Sequence, residues 1–330
     1  MESGNNNREK DDPRFLTGKD NKKEKKYYGK FLILIIFIII SIEYYAYVFE
    51  VMIKYMNQKN FYLIVTLLTI FHILVLLLLI AFISTMNTNP GEIPLYWGFY
   101  IGDDDYKRKR YCLICNAFKP ERSHHCSVCN KCVLNMDHHC PWVDNCIGFY
   151  NRKFFMQLLI FVVILTIYVD LSEAYFVIDM CIKLFKKHVK YSEIFHLGLV
   201  VICYVAIFAF SIIITLFLKF HLQLVFENST TIESLDQEHK NENAKFNIGK
   251  RQNWEQVFGS EPIFWFFPFP TKRGRPEGDG LTWKIKEQVG DSGIKINESS
   301  NKNFGTNNYE TNFNTNAPIS SATNYDNYIF

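Results

Sequence analysis

Four long apolar runs, polar stretches outside them and a knot of cysteines between the second and third run predict the fold class. It is an all-α integral membrane protein of four transmembrane helices, with a small cytosolic cysteine-rich domain between helices 2 and 3. Whole-chain averages hide this. The 330 residues are 48% hydrophobic, with a formal charge of +3 and a mean hydropathy of −0.03, values ordinary for a soluble protein. The apolar residues, however, collect into runs such as Phe31–Ile42 and Leu63–Ile83, apart from stretches as polar as Met1–Lys26. Soluble elements show short-period alternation instead. The near balance of 36 basic and 33 acidic side chains leaves no global pull toward nucleic acid. Seven of the nine cysteines lie between Cys112 and Cys146, and such crowding reads as metal ligation or catalysis rather than as a disulfide framework.

A helix rises about 1.5 Å per residue and the hydrocarbon core is about 30 Å thick, so a span needs about 20 mostly apolar residues. Phe31–Ile53, Phe61–Ser84, Phe154–Ile178 and Ile194–Phe220 qualify, and the need to satisfy the backbone in lipid makes each a helix. The first carries Glu43 and Glu50, the third Asp170 and Glu173, while the second holds only His72 and the fourth His196. Acids in spans mark ion paths in transporters. Here their spacing lets each pair share one face toward the bundle interior or the exit interface, and that structural reading is preferred. Met1–Lys30 is too long and polar for a signal peptide, so the first span is expected to stay in the mature chain.

Lys and Arg number nine in the N-terminal tail, nine between Thr85 and Lys153, and twelve from Lys219 onward, against six in the two other loops. The positive-inside bias therefore places both termini and the long middle loop in the cytosol. Lys183, Lys186, Lys187 and Lys190 run against it. The expected organisation is a disordered tail (1–30), two spans (31–84), the cytosolic cysteine-rich domain (85–153), two spans (154–220), a cytosolic segment (221–270) and a mostly disordered tail (271–330).

Tyr111–Gly148 repeats itself. Cys112-x2-Cys115-x9-His125-x6-Cys132 recurs at an offset of 14 as Cys126-x2-Cys129-x9-His139-x6-Cys146. Each set is chemically a Cys3His tetrahedral zinc site, and the two interleave. In the reducing cytosol such thiols bind metal rather than pair, and a segment this short and polar is expected to draw its folding free energy from two structural zinc ions. Cys140, His124 and His138 are left over. A third unit would begin at Cys140, but its Cys-x2-Cys partner position is Val143. Cys140 is thus a thiol without a metal, with His138 two residues away and Asp137 beside that histidine. These are the residue types of a Cys-His-Asp nucleophilic site; from types alone, a spare buried thiol is an equal alternative. Standing 14 residues before Phe154, the thiol is expected near the cytosolic face of the bilayer.

Asp137-His138-His139-Cys140, within the cysteine pattern from Cys112 to Cys146, closely resembles the signature of the DHHC-type protein S-acyltransferases, or palmitoyltransferases. Thr230-Thr231-Ile232-Glu233 resembles the family's TTxE motif, and Asn253-Trp254-Glu255-Gln256-Val257-Phe258-Gly259 its C-terminal aromatic motif. Asn89-Pro90-Gly91 stands where the family has Asp-Pro-Gly, so a charge is lost while the turn-forming Pro-Gly remains. The resemblance implies that Cys140 takes a long-chain acyl group from acyl-CoA and passes it to a cysteine of a protein substrate by a ping-pong route. His138 would then act as general base, Asp137 would orient it, and His139 would bind zinc. It further implies protein substrates with cytosolic juxtamembrane cysteines; for location, an endomembrane (Golgi or ER) is preferred to the plasma membrane, and no retention signal in the sequence names the organelle. Lys119, Arg122 and His124, with Lys107-Arg108-Lys109-Arg110, are candidates for the phosphates of CoA; basic residues beside a membrane equally bind anionic lipid or set topology. Thr231 is a candidate support for Asp137, although Thr-Thr before Glu is also an ordinary helix start. The alternative function is a membrane-anchored zinc-finger docking module without catalysis.

Overall fold

The computed structural model describes residues 13–95, 97–98, 110–186, 191–236, 244–287 and 295–297. Helix α1 (Pro13–Tyr45) runs into a π-helical stretch, Ala46–Ile53; α2 is Phe61–Asn87, α3 Arg152–Phe185 and α4 Tyr191–Phe226. All four are long and apolar enough to cross a membrane. α1 starts inside the segment expected to be a disordered tail, and α3 and α4 reach beyond the apolar runs that announced them. Lys107, Arg108, Lys109, Lys187 and Lys190 lie outside the described residues, as do 1–12 and 298–330.

α3 is the central helix. Half of its apolar window is buried inside the protein, against 17–22% in the other three spans, whose remaining apolar surface is left for lipid. One buried cluster, including Tyr47, Met52, Ile64, Phe71, Phe176 and Val200, joins the four helices at one end. A second, including Ala81, Phe155, Leu159 and Val225, fills the other end and takes in Cys140, Val143 and Ile147 from the cysteine-rich segment.

That segment is built from three two-stranded antiparallel hairpins: β1–β2 (Tyr111–Cys112, Ala117–Phe118), β3–β4 (His124–Cys126, Lys131–Val133) and β5–β6 (His138–Cys140, Asn145–Ile147). Polar side chains dock it on the bundle by answering unpaired helix ends. Asn145 Nδ2 donates to the carbonyls of Thr85, Met86 and Thr88 at the end of α2, at 3.0–3.2 Å. Asn89 Oδ1 accepts the Gly91 N–H at 3.0 Å, so the side-chain carbonyl closes the turn without the family's charge. Gly91, at φ +116°, is held there as its carbonyl accepts from Leu134 N.

The chain after α4 straps both parts together. Thr230 caps α5 (Thr231–Leu235) with Glu233 in a reciprocal capping box. Asn253, at the buried face of α6 (Lys250–Phe258), donates to the last-turn carbonyl of Phe226, and Trp254 stacks on Phe258 at 4.0 Å. Ser84 and Gln157 reach out from α2 and α3 to the carbonyls of Pro268, Trp265 and Phe267. The first part of the segment expected to be mostly disordered packs on the protein: Trp283 is buried against Phe149 and Phe246, and β7 (Ile285–Glu287) pairs with β8 (Lys295–Asn297). An indole supplies much apolar area in one residue, which composition averaged over a long polar tail conceals.

Candidate active site

The 14-residue repeat is also a repeat of backbone. Asn116, Asn130 and Asp144, spaced 14 apart, all take a left-handed conformation (φ 51°, 55° and 47°), which Asn and Asp tolerate best among non-glycine residues. Each follows a four-residue turn, Cys112–Cys115, Cys126–Cys129 and Cys140–Val143. The third turn is made although its last residue cannot bind metal.

Strand pairing then sorts the side chains. His125 lies opposite Cys132 across β3–β4, and His139 opposite Cys146 across β5–β6. Each pair joins one Cys-x2-Cys turn, so that Cys112, Cys115, His125 and Cys132 form one group and Cys126, Cys129, His139 and Cys146 another, with ligand atoms within 4.8 Å of one another. His125 Nδ1 stands 3.2–3.8 Å from three sulfurs, and His139 Nδ1 3.5 and 3.7 Å from Cys129 and Cys146. Tetrahedral zinc with bonds of about 2.0–2.3 Å has edges of roughly this length, and the soft thiolate and imidazole donors suit it. Both groups fit the metal that the spacing implied.

Side chains alternate along a strand. With His139 turned to the metal, His138 and Cys140 share the opposite face of β5 and look toward α3 and α4. His138 packs edge-on against Phe155 at 5.2 Å, and Cys140, 5% exposed, belongs to the same buried cluster as Phe155. Behind the histidine, Asp137 is almost wholly buried. Its Oδ2 meets His138 Nδ1 at 2.6 Å and accepts the Thr231 hydroxyl at 2.8 Å; its Oδ1 accepts the Thr231 N–H at 3.0 Å and lies 3.4 Å from Arg152 Nη2. Burial pushes the Asp137 carboxyl up, but Arg152 and His138 outweigh it and hold the group well below the usual carboxylate range. Burial disfavours a charged His138, yet hydrogen bonds to Asp137 and the Cys140 sulfur lift it to about 9. The arrangement is a carboxylate that fixes one tautomer of an imidazole, which stands ready to carry a proton beside a thiol.

Thr231 donates its N–H and hydroxyl to Asp137, and Thr230 with Glu233 makes the helix start. Lys119 and His124 are half-buried on the cysteine-rich segment, and burial with the nearby Arg110 charge pushes His124 down. Arg122 is engaged within the protein. Its guanidinium is buried, forks onto Glu233 at 2.7 and 2.8 Å, bonds Asn228 and is stacked by Phe246 and Trp283 at 4.5 and 4.3 Å, so it faces protein groups rather than open solvent. Sequence reading saw a cation near a membrane; its partners come from chain more than a hundred residues later. It also passed over Arg152, at the start of the third span, and His221, near the end of the fourth, whose ring lies 5.8 Å from that of His138. The available signal was a titratable residue at each span end, where interface snorkelling is the ordinary explanation.

A family model described as DHHC palmitoyltransferase matches residues 105–238. The chain is similar to "Probable protein S-acyltransferase 13" of Arabidopsis thaliana, 34% identical with 79% of this chain and 92% of the relative covered. "Probable protein S-acyltransferase 12" of the same organism is 31% identical, with 75% and 89% covered. "Palmitoyltransferase ZDHHC20" of Homo sapiens is 30% identical, with 73% and 74% covered.

Proposed function

The chain belongs to the DHHC palmitoyltransferase family, and from that premise we propose that Cys140 is the sulfur through which this protein S-acyltransferase works. The observation that carries the assignment is the placement of His138 and Cys140 on one face of β5, with the metal ligand His139 on the other. Seven cysteines crowd this segment; the alternation leaves one of them beside a carboxylate-backed imidazole and outside both metal groups.

Acyl-CoA supplies the thioester. His138 takes the thiol proton of Cys140 as the sulfur attacks the carbonyl carbon; the bond to the CoA sulfur breaks, and the proton leaves with CoA. A substrate cysteine then repeats the exchange on the acyl-enzyme, giving up its proton through His138, and Cys140 is restored as the thiol. One thioester replaces another at each step, so no further driving reaction is required. Asp137 orients His138 and Thr231 holds Asp137. Cys112, Cys115, His125 and Cys132, and Cys126, Cys129, His139 and Cys146, would each hold a zinc ion, which would supply a structural tie between neighbouring hairpins. The acyl tail lies among the helices, where each buried CH₂ contributes about 0.8 kcal/mol, and Lys119 and His124 face the CoA phosphates. The cysteine-rich segment and both termini are cytosolic by the charge bias; the acceptors are cysteines next to a membrane on that side, and the compartment is Golgi or ER.

The test is the mass of the adduct on Cys140 after incubation with mixed acyl-CoAs. A hydroxylamine-labile long-chain acyl group on the Cys140 peptide, absent from Cys140→Ser, is the expected result. Undiminished acylation of that variant would end the assignment.

A further inference from the structure

Among the described residues, His221 is the buried imidazole near this site that the reaction above leaves unused. It sits in the last part of α4, 2% exposed, and is enclosed by Phe217, Phe220 and Phe155 at ring distances of 4.5, 5.2 and 5.1 Å. Its Nδ1 is sealed from solvent and has no hydrogen-bond partner. A phenyl ring would fill such an aromatic box without leaving a polar atom unanswered, and buried polar atoms are almost always paired. The ring also belongs to a triangle with His138 and Phe155, on the side where the bundle begins. A thioester on Cys140 has to extend toward that side, because its tail enters the bundle while CoA leaves toward water.

We propose that His221 is a catalytic residue that donates a hydrogen bond from its neutral ring to the thioester carbonyl oxygen, as the oxyanion donor for both acyl transfers. When the Cys140 sulfur adds to the carbonyl carbon, the C=O pair moves onto oxygen and stays there until the C–S bond to CoA, or later to Cys140, breaks. A donor already in place in a water-poor box stabilises that charge without reorganising. His221 neither takes nor gives a proton: His138 carries the proton, and His221 answers the charge. The empty valence on Nδ1 is then the resting form of a site whose partner arrives with the substrate.

The inference rests on Cys140 as the acyl carrier, and the experiment separates the two. Full-length enzyme in nanodiscs is loaded with palmitoyl-CoA labelled with ¹³C at the carbonyl, the adduct is located by mass, and the carbonyl stretch of the acyl-enzyme is read by infrared difference. Palmitate on Cys140 with a stretch below that of a thioester in hydrocarbon is expected. Palmitate there with an unshifted stretch would overturn the role of His221 alone; no palmitate there would remove the parent reading and this one with it. In single-turnover loading, His221→Phe is expected to be slower by roughly 10²-fold, with palmitoyl-CoA affinity and the pH limb set by His138 unchanged. His221→Asn, which keeps an N–H near the Nδ1 position, is expected to recover part of the rate. A rate loss matched by lost affinity or a moved pH limb would instead make the residue structural.

Discussion

Hairpin β3–β4 opens with Ser123-His124-His125-Cys126 and hairpin β5–β6, 14 residues later, with Asp137-His138-His139-Cys140. In both, the second histidine faces a cysteine across the hairpin and joins a metal group. The outcomes diverge at the two ends of the motif. Cys126 finds Cys129 three residues on and is consumed as a ligand, whereas Cys140 finds Val143 and is left over. Ser123 is buried with its hydroxyl unpartnered; Asp137 is buried as a carboxylate with Thr231, Arg152 and His138 around it. As a result His124 is pushed down by burial and Arg110, while the Asp137 bond helps lift His138 to about 9. One lost ligand and one gained carboxylate separate a metal scaffold from the proposed nucleophile on the same backbone.

The sharpest way to break that contrast is to remove the equivalent cysteines. Cys126→Ala deletes a ligand of a metal whose binding in small domains is worth about 10–16 kcal/mol. Zinc per chain is expected to fall and folded yield to collapse, while Cys140→Ala keeps both ions and its thermal midpoint but forms no thioester. Equal zinc loss in the two variants would dissolve the distinction.

Asp137→Asn addresses the other end of the motif. Loss of the orienting carboxylate is expected to slow acyl loading by roughly 10²–10⁴-fold. The sign of the pH effect follows from His138: with its value raised to about 9, the ring is protonated below that pH and loses the proton above it. A general base must be neutral to take the thiol proton, so wild-type loading rises along a limb that levels off near pH 9, and in Asp137→Asn that limb moves acidward, toward the ordinary histidine value of about 6.5. A pH-rate series of single-turnover loading measures both, and an unmoved limb would detach Asp137 from His138.

Arg122→Met tests the buried anchor between the hairpins and the chain after α4. Leaving Glu233 buried and unpaired is expected to cost about 3–5 kcal/mol, read as a lower thermal midpoint. A raised KM for palmitoyl-CoA at unchanged stability would instead return Arg122 to the phosphates. Ser123→Ala is expected to be the mildest change, within about 0.5 kcal/mol, since its hydroxyl makes no bond to lose; a larger drop in midpoint would reveal a bound partner at that oxygen.

Much of this molecule is written in local sequence. Helix length against bilayer thickness gave the four spans, and the 14-residue spacing gave both metal groups and singled out Cys140, because ligands gathered by short turns are close in sequence as well as in space. Arg122 was legible only as a charge. Its carboxylate, Glu233, and its two aromatic plates, Phe246 and Trp283, come from after the fourth span, and no periodicity links residues so far apart. His221 and Arg152 were equally ordinary as letters at span ends.

By itself the sequence determined the spans, the metal ligands and the leftover thiol, since each depends on composition or spacing within a few turns of chain. Only the tertiary structure decided what the leftover groups face. The alternation of β5 turns His138 and Cys140 toward the bundle, α5 brings Thr231 under Asp137, and α4 sets His221 beside the reacting face. Those partners meet because helices hundreds of atoms apart along the chain pack side by side, and burial at that meeting point makes each charge and each hydrogen bond count for more than it would in water.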